Sequence, residues 1–142
     1  MNIRQIMTSP AVSIGETETV EVAARTLAQY NIGALPVCTA EGKLCGMVTD
    51  RDLVIRCMAA GKLPANTKVR EIMTGQVTSV KPDMEIGVAA HLMGRQQIRR
   101  LPVTENGRLC GMVSLGDLAG REDCSMDAAD ALEGICSNIS SR

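Results

Sequence analysis

The chain has 142 residues, a formal net charge of -1 and 45% hydrophobic residues, enough for one compact domain or two very small ones. Trp and Phe are absent and Tyr30 is the lone aromatic residue, so any core is built from Val, Ile, Leu, Met and Ala. The near balance of charge and the lack of interleaved aromatics argue against a nucleic-acid surface, and no stretch has the roughly 18 apolar residues of a membrane span.

Met1 to Pro10 carries only Arg4 and no long apolar run, so it does not read as a signal peptide, and the expected compartment is the cytoplasm. Within it, "IRQIMT" (Ile3 to Thr8) is the first half of an echo: a shift of 66 positions lays "VREIMT" (Val69 to Thr74) on it. The same shift lays Val88–Ala90 on Val22–Ala24 and Leu101–Val103 on Leu35–Val37. From Gly42 the shift drops to 65, and "CGMVSLGDL" (Cys110 to Leu118) falls on "CGMVTDRDL" (Cys45 to Leu53). One residue is therefore missing from the second copy in the turn around Thr39 to Gly42. A repeat this long implies units that need one another to bury their apolar faces.

Both copies give the same order of elements. A short strand leads. Thr17 and Asp83 are cap-type residues ahead of helices whose apolar positions are Val20, Ala23, Ala24 and Leu27, and Ile86, Ala89, Ala90 and Met93. Asn31 can end the first helix in a left-handed turn. "ALPVC" and "RLPVT" read as strands whose Pro36 and Pro102 face an edge or lie near a strand start. "AEGK" and "ENGR" are hairpin turns with positive φ at Gly42 and Gly107, and "LCGMV" is the return strand. A second helix runs from Asp50 to about Ala60, and a shorter one starts at Leu115. This divides the chain into a first unit, 1–60, a linker, 61–67, a second unit, 68–120, and a tail, 121–142. In the tail, Ser125 to Ile135 reads as an amphipathic helix with Met126, Ala129 and Leu132 on one side.

Where strand hands over to helix stand Thr49-Asp50-Arg51-Asp52 and Ser114-Leu115-Gly116-Asp117. A hydroxyl followed three residues later by an acid is a capping-box pattern, and it alone explains a helix start. The same groups suit a nucleotide: the hydroxyl donates to a phosphate or sugar oxygen, and the Asp accepts from a ribose diol. Gly46 and Gly111, just upstream, would let a ligand approach the backbone.

The order M-T, L-P-V, then G-h-V-[ST]-x-x-D, present in both halves from about Asn2 to Gly120, resembles the CBS motif, and two in tandem resemble a Bateman module. "NIGALPVC", "MVTDRDLVI", "AAGKLPANT" and the tail "GICS" are similar to stand-alone bacterial CBS-pair proteins. The resemblance implies an α+β fold of two tandem CBS units, each short strand-helix-hairpin-helix, packed about a pseudo-two-fold axis. It implies a regulatory, non-catalytic module that binds AMP, ADP, ATP or S-adenosylmethionine in clefts between the units, associates as a homodimer and controls another protein. No obligatory cofactor, nucleic-acid partner or membrane partner follows. Carried over by position, one cleft would use Ser114, Asp117 and Arg100, framed by Thr8, Ala11, Ile32 and Gly33. The other would use Thr49, Asp52 and Arg51, with Thr74, Val77, Ile98 and Arg99 opposite. Guanidinium groups at those positions suit phosphate oxygens. Ala34 stands where the second copy has Arg100, and Leu115 and Gly116 replace Asp50 and Arg51, so the clefts should differ in affinity. The alternative is a stress-related structural or interaction protein that keeps the paired fold without a nucleotide, with Cys38 as a conceivable redox site.

The six Cys include no C-x-x-C pair, and His91 is the only His, so reduced thiols acting as small hydrophobes are expected and zinc is not. No nucleophile–base pair stands out, and no enzymatic activity is expected. His91 reads as a surface residue.

Overall fold

The apolar stripe read at Val20, Ala23 and Leu27 lies on α1 (Val20–Tyr30), where all three are buried. Its cap is Thr19, two residues beyond the expected Thr17, and the Thr19 hydroxyl accepts from the Val22 N–H at 3.2 Å. Ala24 is exposed, unlike its counterpart Ala90. The helix ends at Asn31 in the left-handed region, φ 52° and ψ 50°. The computed structural model describes residues 1–119 and 129–135.

Ahead of α1, β1 (Ile14–Gly15) pairs in parallel with β2 (Ala34–Cys38), which pairs antiparallel with β3 (Leu44–Thr49) in the order β1-β2-β3. Pro36 thus sits in a middle strand. It is tolerated because its partner Met47 exchanges both backbone hydrogen bonds with Thr74, each at 2.9 Å, so no donor is needed from Pro36 on that side. On the other side β1 pairs only with Val37 and Cys38, which leaves the proline nitrogen facing the open end of the strand. β3 runs into α2 (Asp50–Asp52), which continues to Met58 as a π-helix with a 2.8 Å bond from the Ala59 N–H to the Val54 carbonyl.

In the second copy α3 (Ile86–Gln96) buries Ile86, Ala89, Ala90 and Met93. Its N-cap is Glu85, with no side-chain cap bond, where Asp83 was expected. β4 (Arg100–Glu105) and β5 (Arg108–Ser114) form a two-stranded sheet, and Val80 supplies a single parallel bridge to Val103 in place of a leading strand. α4 (Leu115–Ala119) follows. The one-residue deletion has a plain structural reading. In the first turn only Gly42 has positive φ, and Thr39 N–H bonds to the Lys43 carbonyl; in the second, Asn106 and Gly107 both have positive φ, the two-residue turn that matches strand twist.

The compact units are not the sequence repeats. Among the described residues, one consists of 1–11, 78–106, 110–119 and 129–135, the other of 12–77 and 107–109. Each repeat's leading segment therefore packs with the body of the other. Ile3 N–H donates to the Met84 carbonyl at 2.9 Å and Ile3 is fully buried, with Leu101, Val103, Val113 and Leu118, in the first unit's core. Val69 N–H donates to the Glu18 carbonyl at 2.8 Å, and Val69 and Ile72 are buried with Leu35, Val37 and Val48 in the second. In the tail, residues 129–135 are helical, and the buried positions are Ala131 and Ile135, not Ala129 and Leu132. Met126 lies outside the described residues.

Candidate functional site

The hydroxyl–acid motif is a reciprocal capping box in both copies. Thr49 N–H donates to Asp52 Oδ2 at 2.9 Å, and Asp52 N–H donates to Thr49 Oγ1 at 3.1 Å. Ser114 N–H donates to Asp117 Oδ2 at 2.8 Å, and Asp117 N–H donates to Ser114 Oγ at 3.1 Å. Each box holds one carboxylate oxygen and locks the rotamer of the acid. The hydroxyl hydrogen and the second carboxylate oxygen are left for other partners.

The glycine upstream of each box has a different task from the one expected. A Cβ on Gly46 would stand 2.5 Å from Met73 Sδ and 2.8 Å from the Thr74 carbonyl oxygen. On Gly111 it would stand 2.8 Å from Met7 Sδ and 2.9 Å from the Thr8 carbonyl oxygen. The missing side chain makes room for the exchanged segment, which is why the M-T pair and the G-h-V strand recur together.

Around Ser114 the compact unit that contains residues 1–11 and 78–106 has a cavity of about 590 Å³, lined by Arg99, Arg100, Ser114, Leu115, Gly116, Ala119, Ala129 and Leu132. Arg99, expected with Thr49, lines this cavity beside Arg100, and its carbonyl accepts from the Leu115 N–H at 2.8 Å. Both arginines are exposed. Thr8 belongs to the same unit and exchanges backbone bonds with Met112 at 2.8 and 3.0 Å. Ala11 closes that unit's leading segment, and Ile98 is half-buried against its core. Ile32 and Gly33 belong to the unit of Thr49, where the Gly33 carbonyl accepts from the Asp50 N–H at 3.0 Å.

Around Thr49 the structure joins Asp52 and Thr74 through a residue that the motif reading missed. Arg56 Nη1 donates to the Ile72 carbonyl at 3.2 Å and reaches Thr74 Oγ1 at 3.5 Å, while Arg56 Nε lies 3.7 Å from Asp52 Oδ1. The i,i+4 spacing of Asp52 and Arg56 was the available signal. The matching position in the second copy is Arg121, outside the described residues. Arg51 and Thr74 are exposed and Val77 is half-buried.

Three of the thiols are held in the neutral form by their surroundings. Cys38 is buried, and burial raises its pKa despite a hydrogen bond with Ser13. Burial, then the hydrogen bond to the Glu16 carboxylate and its negative charge, push Cys45 up to about 11. Cys110 is raised by burial and Glu105, with Arg4 opposing. Cys38, Cys45, Cys57 and Cys110 are free thiols, and Cys124 and Cys136 lie outside the described residues. His91 is exposed. Among the described residues no three His, Cys, Asp or Glu side chains cluster as metal ligands, and no helix is long and apolar enough to cross a membrane.

Comparison with known proteins gives consistent matches. The family described as "CBS domain" matches residues 3–58 and 69–122. CBS domain-containing protein YhcV of Bacillus subtilis is 37% identical over 134 residues, covering 94% of each chain. Hypoxic response protein 1 of Mycobacterium tuberculosis is 37% identical over 116 residues, 82% of this chain and 81% of its own. The crystal structure of Hypoxic Response Protein I, described with two coordinated zinc ions, superposes with a TM-score of 0.79 at 36% identity, over 85% of this chain and 98% of that one. The CBS domain pair of protein MJ0100, in complex with 5'-methylthioadenosine and S-adenosylmethionine, gives a TM-score of 0.75 at 26% identity, over 84% of this chain and 94% of its own.

Proposed function

Because the chain belongs to the CBS-domain family, as a tandem pair of CBS domains with an α+β fold, we propose that it is a regulatory, non-catalytic module that senses an adenosine compound, with its main site at the Ser114 cavity. The observation that carries this reading is the joint presence of Ser114 and two arginines around a cavity of about 590 Å³. That volume falls within the range of small-molecule pockets. Leu115, Ala119 and Leu132 offer apolar surface for a base, and the arginines suit phosphate oxygens. Two cations also disfavour the sulfonium of S-adenosylmethionine, so AMP, ADP or ATP is the expected class. The ligand-bound MJ0100 pair is a precedent for the adenosine moiety.

A second copy of the chain is the expected partner. Val54, Ile55, Met58 and Leu63 are exposed by 49 to 66% along one stretch, an apolar face that association would cover. The cytoplasm is the expected compartment.

A second reading, a structural CBS pair without a nucleotide, is favoured by one feature: the Thr49 box and Arg56 already satisfy one another inside the protein. The melting temperature measured with AMP, ADP, ATP and S-adenosylmethionine separates the two. A ligand at 100 times its dissociation constant adds about 2.7 kcal/mol, a shift of several degrees in a chain of this size. The sensing reading expects that shift with a nucleotide and its loss in Asp117→Ala. No shift with any of the four compounds supports the structural reading.

A further inference from the structure

The tail helix is built into the Ser114 cavity by a contact the first repeat cannot make. Gly134 lies so close to α3 that a Cβ on it would stand 2.7 Å from the Gly94 carbonyl oxygen, and a Cβ on Gly94 would stand 3.3 Å from the Ala131 Cα. Ala131, 2% exposed, joins the core of Ala90 and Met93. In the first repeat the position of Gly94 is Ala28, whose Cβ would fill that space, and Ala28 is exposed. With Ala131 and Ile135 facing inward, the same helix turns Ala129 and Leu132 to the cavity, and Leu132 keeps 42% of its surface exposed there.

We propose that residues 129–135 form a ligand-contacting wall of the Ser114 site: Leu132 contacts the ligand, and the Gly94–Gly134 approach positions Leu132. The proposal rests on the adenosine-ligand reading of that cavity. A ligand that covers Leu132 binds only the docked tail, so binding and docking stabilise each other. The tail helix is thus the element whose docking reports occupancy, and only one half of the protein carries it among the described residues.

Calorimetric titration of AMP, ADP and ATP into the full chain, Leu132→Ala and Gly134→Ala tests this. Leu132→Ala should weaken the tightest of the three nucleotides about tenfold, the effect of losing one well-covered leucine. Gly134→Ala should weaken it at least as much. Alanine favours a helix over glycine, so that loss reports undocking and not a poorer helix. Both variants should still unfold cooperatively without ligand. Hydrogen exchange supplies a second readout: nucleotide should slow the amides of residues 129–135 in the unaltered chain. Unchanged affinity in both variants, beside clear binding to the unaltered chain, overturns the inference and leaves the sensing reading standing. Nucleotide binding with unchanged exchange at 129–135 also overturns it. No binding of any of the three to the unaltered chain rejects both together.

Discussion

The Thr49 and Ser114 halves hold their motif at nearly the same geometry, 2.9 and 3.1 Å against 2.8 and 3.1 Å, yet they present it to different surroundings. At Thr49 the acid is followed by Arg56, which ties it to the exchanged segment at Ile72 and Thr74. At Ser114 two arginines and the tail helix border an open cavity. The lesson is that the capping box is a shared structural device, needed wherever this strand meets this helix. The halves differ in what the box is set beside, Arg100 where the first copy has Ala34, and Leu115 and Gly116 where it has Asp50 and Arg51, and the proposed difference in nucleotide binding rests on those positions.

The largest effect should come from the feature that the halves share most strictly. Gly46→Ala and Gly111→Ala each drive a Cβ into a backbone carbonyl oxygen at 2.8 and 2.9 Å. Each should cost about 2–3 kcal/mol in denaturant unfolding, as overpacking of a rigid contact does. A near-neutral result in one half alone would show that its exchanged segment yields. Smaller losses should follow removal of the cap hydroxyls. Thr49→Ala and Ser114→Ala should each cost about 1 kcal/mol of stability. If Thr49→Ala costs clearly less, Arg56 is holding the start of α2 without the box.

The smallest effect separates the equivalent thiols Cys45 and Cys110. The Cys45 pKa is raised to about 11, so its neutral form is favoured by the fold. That contribution is complete below the unfolded thiol's pKa near 9 and is lost as pH rises through about 11. At pH 8 the thiolate fraction of Cys45 is roughly a hundredth of that of an unperturbed thiol. Peptide mapping after iodoacetamide treatment at pH 8 should find Cys110 alkylated faster than Cys45, and Glu16→Gln should narrow the gap. Equal rates would mean that Glu16 does not face the Cys45 thiol in solution.

Local rules made much of the fold legible. The shift from 66 to 65 positions marks the change of turn between Thr39–Lys43 and Asn106–Gly107, and Asn31 announced the left-handed end of α1. The caps moved two residues because Thr17 and Asp83 lie in the turns before Thr19 and Glu85, and a cap-type residue does not say which of its neighbours starts the helix. The exchange of leading segments is written in no local pattern. Ile3 and Val69 look alike, and their partners Met84 and Glu18 are fixed only by long-range packing. The same holds for the site. Ser114, Arg100 and Arg99 stand at positions that the resemblance singled out, although Arg99 was expected opposite Thr49 and lines the Ser114 cavity, whereas Arg56 and Leu132 gain their surroundings from the elements that fold beside them.

The most direct test of the central claim, a nucleotide site at Ser114 and not at Thr49, is a heteronuclear NMR titration of the labelled chain with AMP, ADP and ATP. The account predicts that the amides of Arg100, Ser114 and Gly116 shift with a saturating dependence at nucleotide concentrations that leave Thr49, Arg51 and Asp52 in place. Saturating shifts confined to Thr49, Arg51 and Asp52, or no saturating shift with any of the three, would contradict it.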